Sequence, residues 1–293
     1  MQMFVAPPDY LPSFDGEPVQ LGIDEAGRGP VVGPMVYGCC YSPTAYADFV
    51  SSSGFADSKQ LNEQKRESLW KSISEREREG LKIGYIVNMV SAEDISGQML
   101  RRNPHNLNAI SHDVAISMIR KVMNAGARVE EIYVDTVGDP VRYEQKLKAL
   151  FPTVRLIKVC PKADSLFAIC SAASICAKVN RDRCVQYVTS VMKENDRLKE
   201  RMASVELGSG YPSDERTKDW MRAVIDPVFL FPSIVRFSWD TVNQISAERN
   251  CLEFDFNDSA DPTQQSVMSM FEKKSVGRPP SRLFSNRNMA VAS

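Results

Sequence analysis

The chain predicts an α/β fold, a mixed central sheet flanked by helices. Five strand-like apolar runs, at 19–24, 31–41, 81–88, 131–135 and 154–159, alternate with helical patterns at about 62–78, 105–124, 141–150, 165–193 and 214–224. The early strands are separated by short turns and read as antiparallel, whereas the later strand-helix-strand alternation reads as parallel. One helix shows its period openly: Leu107, Ile110, Val114, Met118 and Val122 fall on a single stripe that must face a core.

Taken in order, the run at 19–24 carries apolar Leu21 and Ile23 up to two adjacent carboxylates, Asp24 and Glu25, and then to Gly27, Arg28 and Gly29. A buried strand that ends in acids and opens into glycines lets a substrate approach bare backbone beside negative charge. That suggests a metal site facing a phosphate chain, with turn capping or edge solvation as the alternative. Adjacent strand side chains point to opposite faces, so Asp24 is read as the central ligand. Glu25 would take part through its longer reach or its backbone carbonyl. The run Ile132-Tyr133-Val134 ends on Asp135 at the carboxyl end of a strand, where ligand sites of open sheets lie; a turn-initiating Asp would look the same. Asp164 follows Pro161-Lys162-Ala163 and opens the long helix, so helix capping and metal binding are both open to it. Lys59, just before the helix at 62–78, suits a phosphate cradle or a solvated lysine equally. Lys178 and Arg181 are weaker phosphate candidates, and His112 reads as structural.

Composition narrows the class. With 293 residues, 43% of them hydrophobic, the chain can bury a large core in one large domain or two smaller ones. A formal net charge of −1 gives no whole-protein attraction to a polyanion, so nucleic-acid binding would need local basic patches, divalent metal or a partner's positive charge. Seven cysteines form no CxxC pair, and Asp9, Asp15 and Glu17 occupy the first twenty residues, unlike a signal peptide. Reduced, intracellular thiols are expected, with Cys170, Cys176 and Cys184 as small core side chains. The apolar run Leu166 to Ala177 is too short for the ~20 residues of a spanning helix, so no membrane is expected. Beyond about residue 256 the sequence is polar and holds five basic residues (Lys273, Lys274, Arg278, Arg282, Arg287) against three acids (Asp258, Asp261, Glu272). Such a segment buries too little apolar surface to offset its ordering entropy.

The segment DEAGRGP at 24–30 resembles the first motif of the type 2 ribonuclease H family, as found in the catalytic subunit of the eukaryotic enzyme. Further resemblances follow in order: DSKQL at 57–61, NLNAISHD at 106–113, YVDTVGDP at 133–140, KADSLFAICSAASICAKVNRD at 162–182 and GSGYPSD at 208–214. The resemblance covers about residues 18–245 and implies a ribonuclease H-like fold. The domains expected are a catalytic domain at 1–190, a helical C-terminal extension completing the substrate site at 191–255 and, from the polar composition, a disordered tail at 256–293.

The activity the resemblance implies is endonucleolytic cleavage of RNA in RNA/DNA hybrids and 5′ of single ribonucleotides embedded in duplex DNA, leaving 3′-hydroxyl and 5′-phosphate ends. Asp24, Glu25, Asp135 and Asp164 match the family's catalytic acids. They would hold two magnesium ions, with manganese as an alternative, ions that favour oxygen ligands over thiolates. Gly27, Arg28 and Gly29 match the segment that senses the 2′-hydroxyl, with Tyr211 working beside it; Lys59 joins them as a substrate contact. The alternatives are a different two-metal nuclease on the same fold or a non-catalytic hybrid-binding subunit. The resemblance also implies two accessory subunits in a heterotrimer and a nuclear location, for which the basic tail is weak support.

Overall fold

A computed structural model describes residues 4, 6–55, 61–75, 82–226 and 228–249. Lys59 and the expected tail at 256–293 therefore lie outside the described residues. Five strands form one sheet: β1 (Pro18–Ala26), β2 (Met35–Pro43), β3 (Gly84–Val90), β4 (Arg128–Asp135) and β5 (Leu156–Cys160). Their spatial order is β3-β2-β1-β4-β5. The pairs β1/β2 and β2/β3 are antiparallel, whereas β1/β4 and β4/β5 are parallel, so the sheet is mixed and changes sense at β1. The two parallel pairs are reached through helical crossovers, as parallel pairing requires.

Among the described residues ten α-helices accompany the sheet: α1 (Ala47–Ser52), α2 (Glu63–Ser74), α3 (Ala92–Met99), α4 (Leu107–Asn124), α5 (Pro140–Leu150), α6 (Ala163–Leu166), α7 (Ala168–Glu194), α8 (Asp196–Met202), α9 (Glu215–Val224) and α10 (Asp240–Glu248). Two differences from the sequence expectation matter for the site. The run at 31–41 becomes a strand only at Met35, because Val31, Val32 and Gly33 bond instead to Gly210 and Ile234, and Gly33 takes φ +100°. The single helix expected over 165–193 is broken at Phe167 (φ −127°, ψ 116°), which separates α6 from α7.

Period-2 alternation divides the core between the two faces of the sheet. Leu21, Ile23, Tyr37, Ile132 and Val134 pack with Ile110, Met118 and Val122 of α4 and with Leu147 of α5. On the other face Val36, Cys40 and Tyr85 pack with Ile169, Ala172, Ala173 and Cys176 of α7 and with Trp70 of α2. Helix α7 rests almost directly on strand backbone. A methyl at Gly22 would stand 2.5 Å from the Ile169 carbonyl carbon, and one at Gly38 would stand 2.1 Å from the Ala173 carbonyl oxygen. Glycine at both positions is what lets helix and sheet approach so closely. A third core joins Val31 and Val32 to Trp220, Met221, Ile234, Val235, Val242 and Ile245, so the C-terminal helices pack against the loop that follows β1.

Candidate active site

The site lies where β1 and β4, adjacent and parallel, both end in acids. Asp24 is buried at 5% exposure. It leaves β1 toward α7, bonds the Ser174 side chain, and accepts the Glu25 N–H at Oδ1 (2.7 Å). Among the described residues no Lys or Arg makes an ion pair with it. Its carboxyl titrates well above the ordinary range, first because burial disfavours the charged form and then because Glu25 and Asp135 are negative neighbours.

Glu25 sits opposite Tyr37 in the antiparallel register, on the other face of β1. Its charge helps hold the phenols of Tyr37 and Tyr143 in their neutral form, after burial, the larger cause. The two adjacent acids thus diverge, as strand geometry requires, yet each feels the other's charge. Asp135, at the last position of β4, accepts the Ala163 N–H (3.1 Å), which fastens the start of α6 to the end of the strand. Directly after Ala163 comes Asp164, 2% exposed. It lies in the first turn of α6 rather than at its cap, a position taken by Lys162 with φ +58°. The Asp164 carbonyl accepts the Ser171 hydroxyl of α7 across the break at Phe167.

The structure therefore gathers Asp24, Glu25 and Asp135 into one electrostatic neighbourhood and joins Asp164 to it through the Ala163–Asp135 bond. No group of three or more His, Cys, Asp or Glu placed to hold a metal ion stands ready-made among the described residues. The donor set nonetheless suits a hard divalent cation. It consists of carboxylate oxygens, and a dication would offset the burial and like-charge repulsion that oppose ionisation of Asp24.

The loop after β1 is held from three sides. Gly27 takes φ +77°, and a methyl there would stand 2.7 Å from the Pro34 carbonyl oxygen. The Arg28 guanidinium donates to Ser111 Oγ (2.7 Å) and to Asn108 Oδ1 on α4. Gly29 is covered by the Tyr211 ring: a methyl there would stand 3.0 Å from Cε1. The structure thus brings Tyr211 and the glycine segment together, although Tyr211 keeps 48% exposure. Lys178 and Arg181 share one carboxylate, Asp182, at 3.0 and 3.1 Å. His112 bonds the Val137 carbonyl (3.1 Å) and stacks on Tyr143 at 3.7 Å between centroids, a structural placement.

Sequence reasoning missed Arg236. Fully buried, it donates to the carbonyls of Gly33 (2.9 Å), Arg28 (2.7 Å) and Gly27, while the Trp239 indole donates to that of Gly29 (3.1 Å). The available signal was an arginine set among Ile234, Val235 and Phe237, since a charge in an apolar run must find buried partners.

Comparison with known proteins places this arrangement. The family model described as Ribonuclease HII matches residues 21–242. A ribonuclease H2 subunit from Dictyostelium discoideum is 46% identical over 79% of this chain and 81% of its own. The corresponding ribonuclease H2 subunit from Homo sapiens is 39% identical over 94% of this chain and 90% of its own. The crystal structure of the ribonuclease H2 from Pyrococcus horikoshii OT3 aligns with TM-score 0.62 and 32% identity, covering 79% of this chain and 99% of that one.

Proposed function

The chain belongs to the ribonuclease HII family and is a ribonuclease H; from that premise we propose that it hydrolyses the RNA strand of RNA/DNA hybrids and nicks duplex DNA 5′ of single embedded ribonucleotides, leaving 3′-hydroxyl and 5′-phosphate ends. The observation that carries this reading is the continuity of two features along one strand end. Buried Asp24, beside Glu25 and Asp135, is only five residues from Gly29, where the Tyr211 ring closes over bare backbone.

In this reading Asp24, Glu25, Asp135 and Asp164 would hold two magnesium ions, with manganese as an alternative. Bound there, the ions would supply an activated water and charge stabilisation for the leaving oxygen. The chain's own groups do the positioning. Ser174 and the Glu25 N–H orient the Asp24 carboxylate, and the Ala163 N–H orients Asp135. Next to them, Gly27-Arg28-Gly29 presents backbone at close range to a ribose, and the Tyr211 phenol, at the rim, can pack on the sugar and donate a hydrogen bond.

The relatives are each named as one subunit of ribonuclease H2, which supports a multi-subunit assembly. We extend this to two accessory chains in a heterotrimer, a partnership that a net charge of −1 accommodates by leaving positive charge to the partners. A nuclear location is part of the same proposal.

The deciding experiment compares a duplex carrying one ribonucleotide, a long RNA/DNA hybrid and an all-deoxy duplex, with magnesium and with a chelator. Magnesium-dependent nicking of the first two alone is expected. Cleavage of the all-deoxy duplex with the ribonucleotide duplex left intact would overturn the reading.

A further inference from the structure

Arg236 is completely buried, and among the described residues no carboxylate pairs with it. A buried cation is costly unless its donors are satisfied, and here the satisfaction comes from one loop. Nε donates to the Gly33 carbonyl, Nη1 to that of Arg28 and Nη2 to that of Gly27. The Trp239 ring lies 4.9 Å from the guanidinium carbon, and its indole N–H takes the Gly29 carbonyl. Backbone bonds lock the clasp to the loop: the Arg236 N–H donates to the Val31 carbonyl (2.8 Å), and the Gly33 N–H to that of Ile234 (2.8 Å). Burial, and then the like charge of Arg181, push the guanidinium's pKa down to about 9.

That geometry has a directional result. In a trans peptide the C=O of one residue and the N–H of the next point opposite ways, and there are no cis bonds among the described residues. Drawing the carbonyls of Gly27 and Arg28 toward Arg236 turns the N–H groups of Arg28 and Gly29 away from it. Drawing the Gly29 carbonyl toward Trp239 adds no third donor, because the next residue is Pro30. Among the described residues neither the Arg28 nor the Gly29 N–H donates to a backbone acceptor.

We propose that Arg236 is a positioning residue for ribose recognition: with Trp239, it aims the N–H groups of Arg28 and Gly29 at the substrate's 2′-hydroxyl and so sets the discrimination between RNA and DNA. This rests on the ribonucleotide-directed activity proposed above and assigns its selectivity to a residue that touches no substrate.

The test measures binding by the full chain assembled with its copurified partner subunits, in calcium so that the strand is not cut, to a duplex with one ribonucleotide and to its all-deoxy counterpart. Wild type should favour the ribonucleotide duplex. Arg236→Gln should reduce that preference at least tenfold while leaving all-deoxy affinity within about twofold, Arg236→Lys should recover part of it, and Trp239→Phe should reduce it about threefold. An unchanged preference in Arg236→Gln and Trp239→Phe, or a parallel loss of affinity for both duplexes, overturns the clasp. Should Arg236→Gln fail to fold, Trp239→Phe decides on the same criteria. A wild type that does not distinguish the duplexes overturns the ribonucleotide reading itself, and the clasp with it.

Discussion

The Tyr211 ring lies directly on Gly29, so close that a methyl at Gly29 would meet Cε1 at 3.0 Å. Because the ring is about half exposed, it can swing aside instead of straining the fold. Gly29→Ala should therefore change stability by less than about 1 kcal/mol yet slow ribonucleotide-directed nicking by roughly tenfold or more, the equivalent of ~1.4 kcal/mol. Thermal unfolding and single-turnover nicking, run on the same preparation, check both halves.

Gly38 predicts the opposite pattern. A methyl there would stand 2.1 Å from the Ala173 carbonyl oxygen, which belongs to helix backbone and has no flexible end to move. Gly38→Ala should cost about 3 kcal/mol or more through overpacking, and a urea unfolding midpoint measures it.

Asp24 titrates above its unfolded value, first through burial. Its ionisation therefore lowers stability, a cost absent below the unfolded pKa of about 3.9 and complete above the raised folded value. Asp24→Asn removes that cost. At pH 7 and without divalent metal the variant should be more stable by on the order of 1 kcal/mol, or about 2–4 °C, an advantage that fades as the pH falls toward 4. Its cleavage should drop roughly 1,000-fold or more, in keeping with the several kcal/mol that metal-ion chemistry supplies. Magnesium should raise the melting temperature of wild type and leave that of the variant nearly unchanged.

Arg28 reaches from the loop to Ser111 and Asn108 on α4. A double-mutant cycle of Arg28→Ala with Ser111→Ala should give a coupling of about 1 kcal/mol in stability. A coupling near zero would mean that the guanidinium is not anchored to the helix in solution.

The fold was legible wherever a local pattern decides the outcome. Ile132-Tyr133-Val134 announced β4, the Leu107-to-Val122 stripe announced α4, and chain order separated antiparallel from parallel strands. Continuous apolar runs misled. Val31 and Val32 look like the start of β2, but their backbone bonds go to Gly210 and Arg236, partners a local reading cannot supply. Phe167 breaks the long helix although the apolar run continues through it, because α6 is tied to Asp135 and α7 to the sheet. The short helices α1, α3, α8 and α10 went unread, as their stabilising contacts are tertiary. At the candidate site the residue types and the family motifs pointed to the four acids, the glycine segment and Tyr211. Arg236 escaped because its partners lie more than two hundred positions away.

That separation bears on how the enzyme is made. On the ribosome, Gly27 and Arg28 emerge early, while the side chain that sets their peptide planes comes 209 and 208 positions later. The sheet can begin to pair during synthesis, but the ledge beside its acids takes final shape only after Arg236 has been added and can fold back onto it.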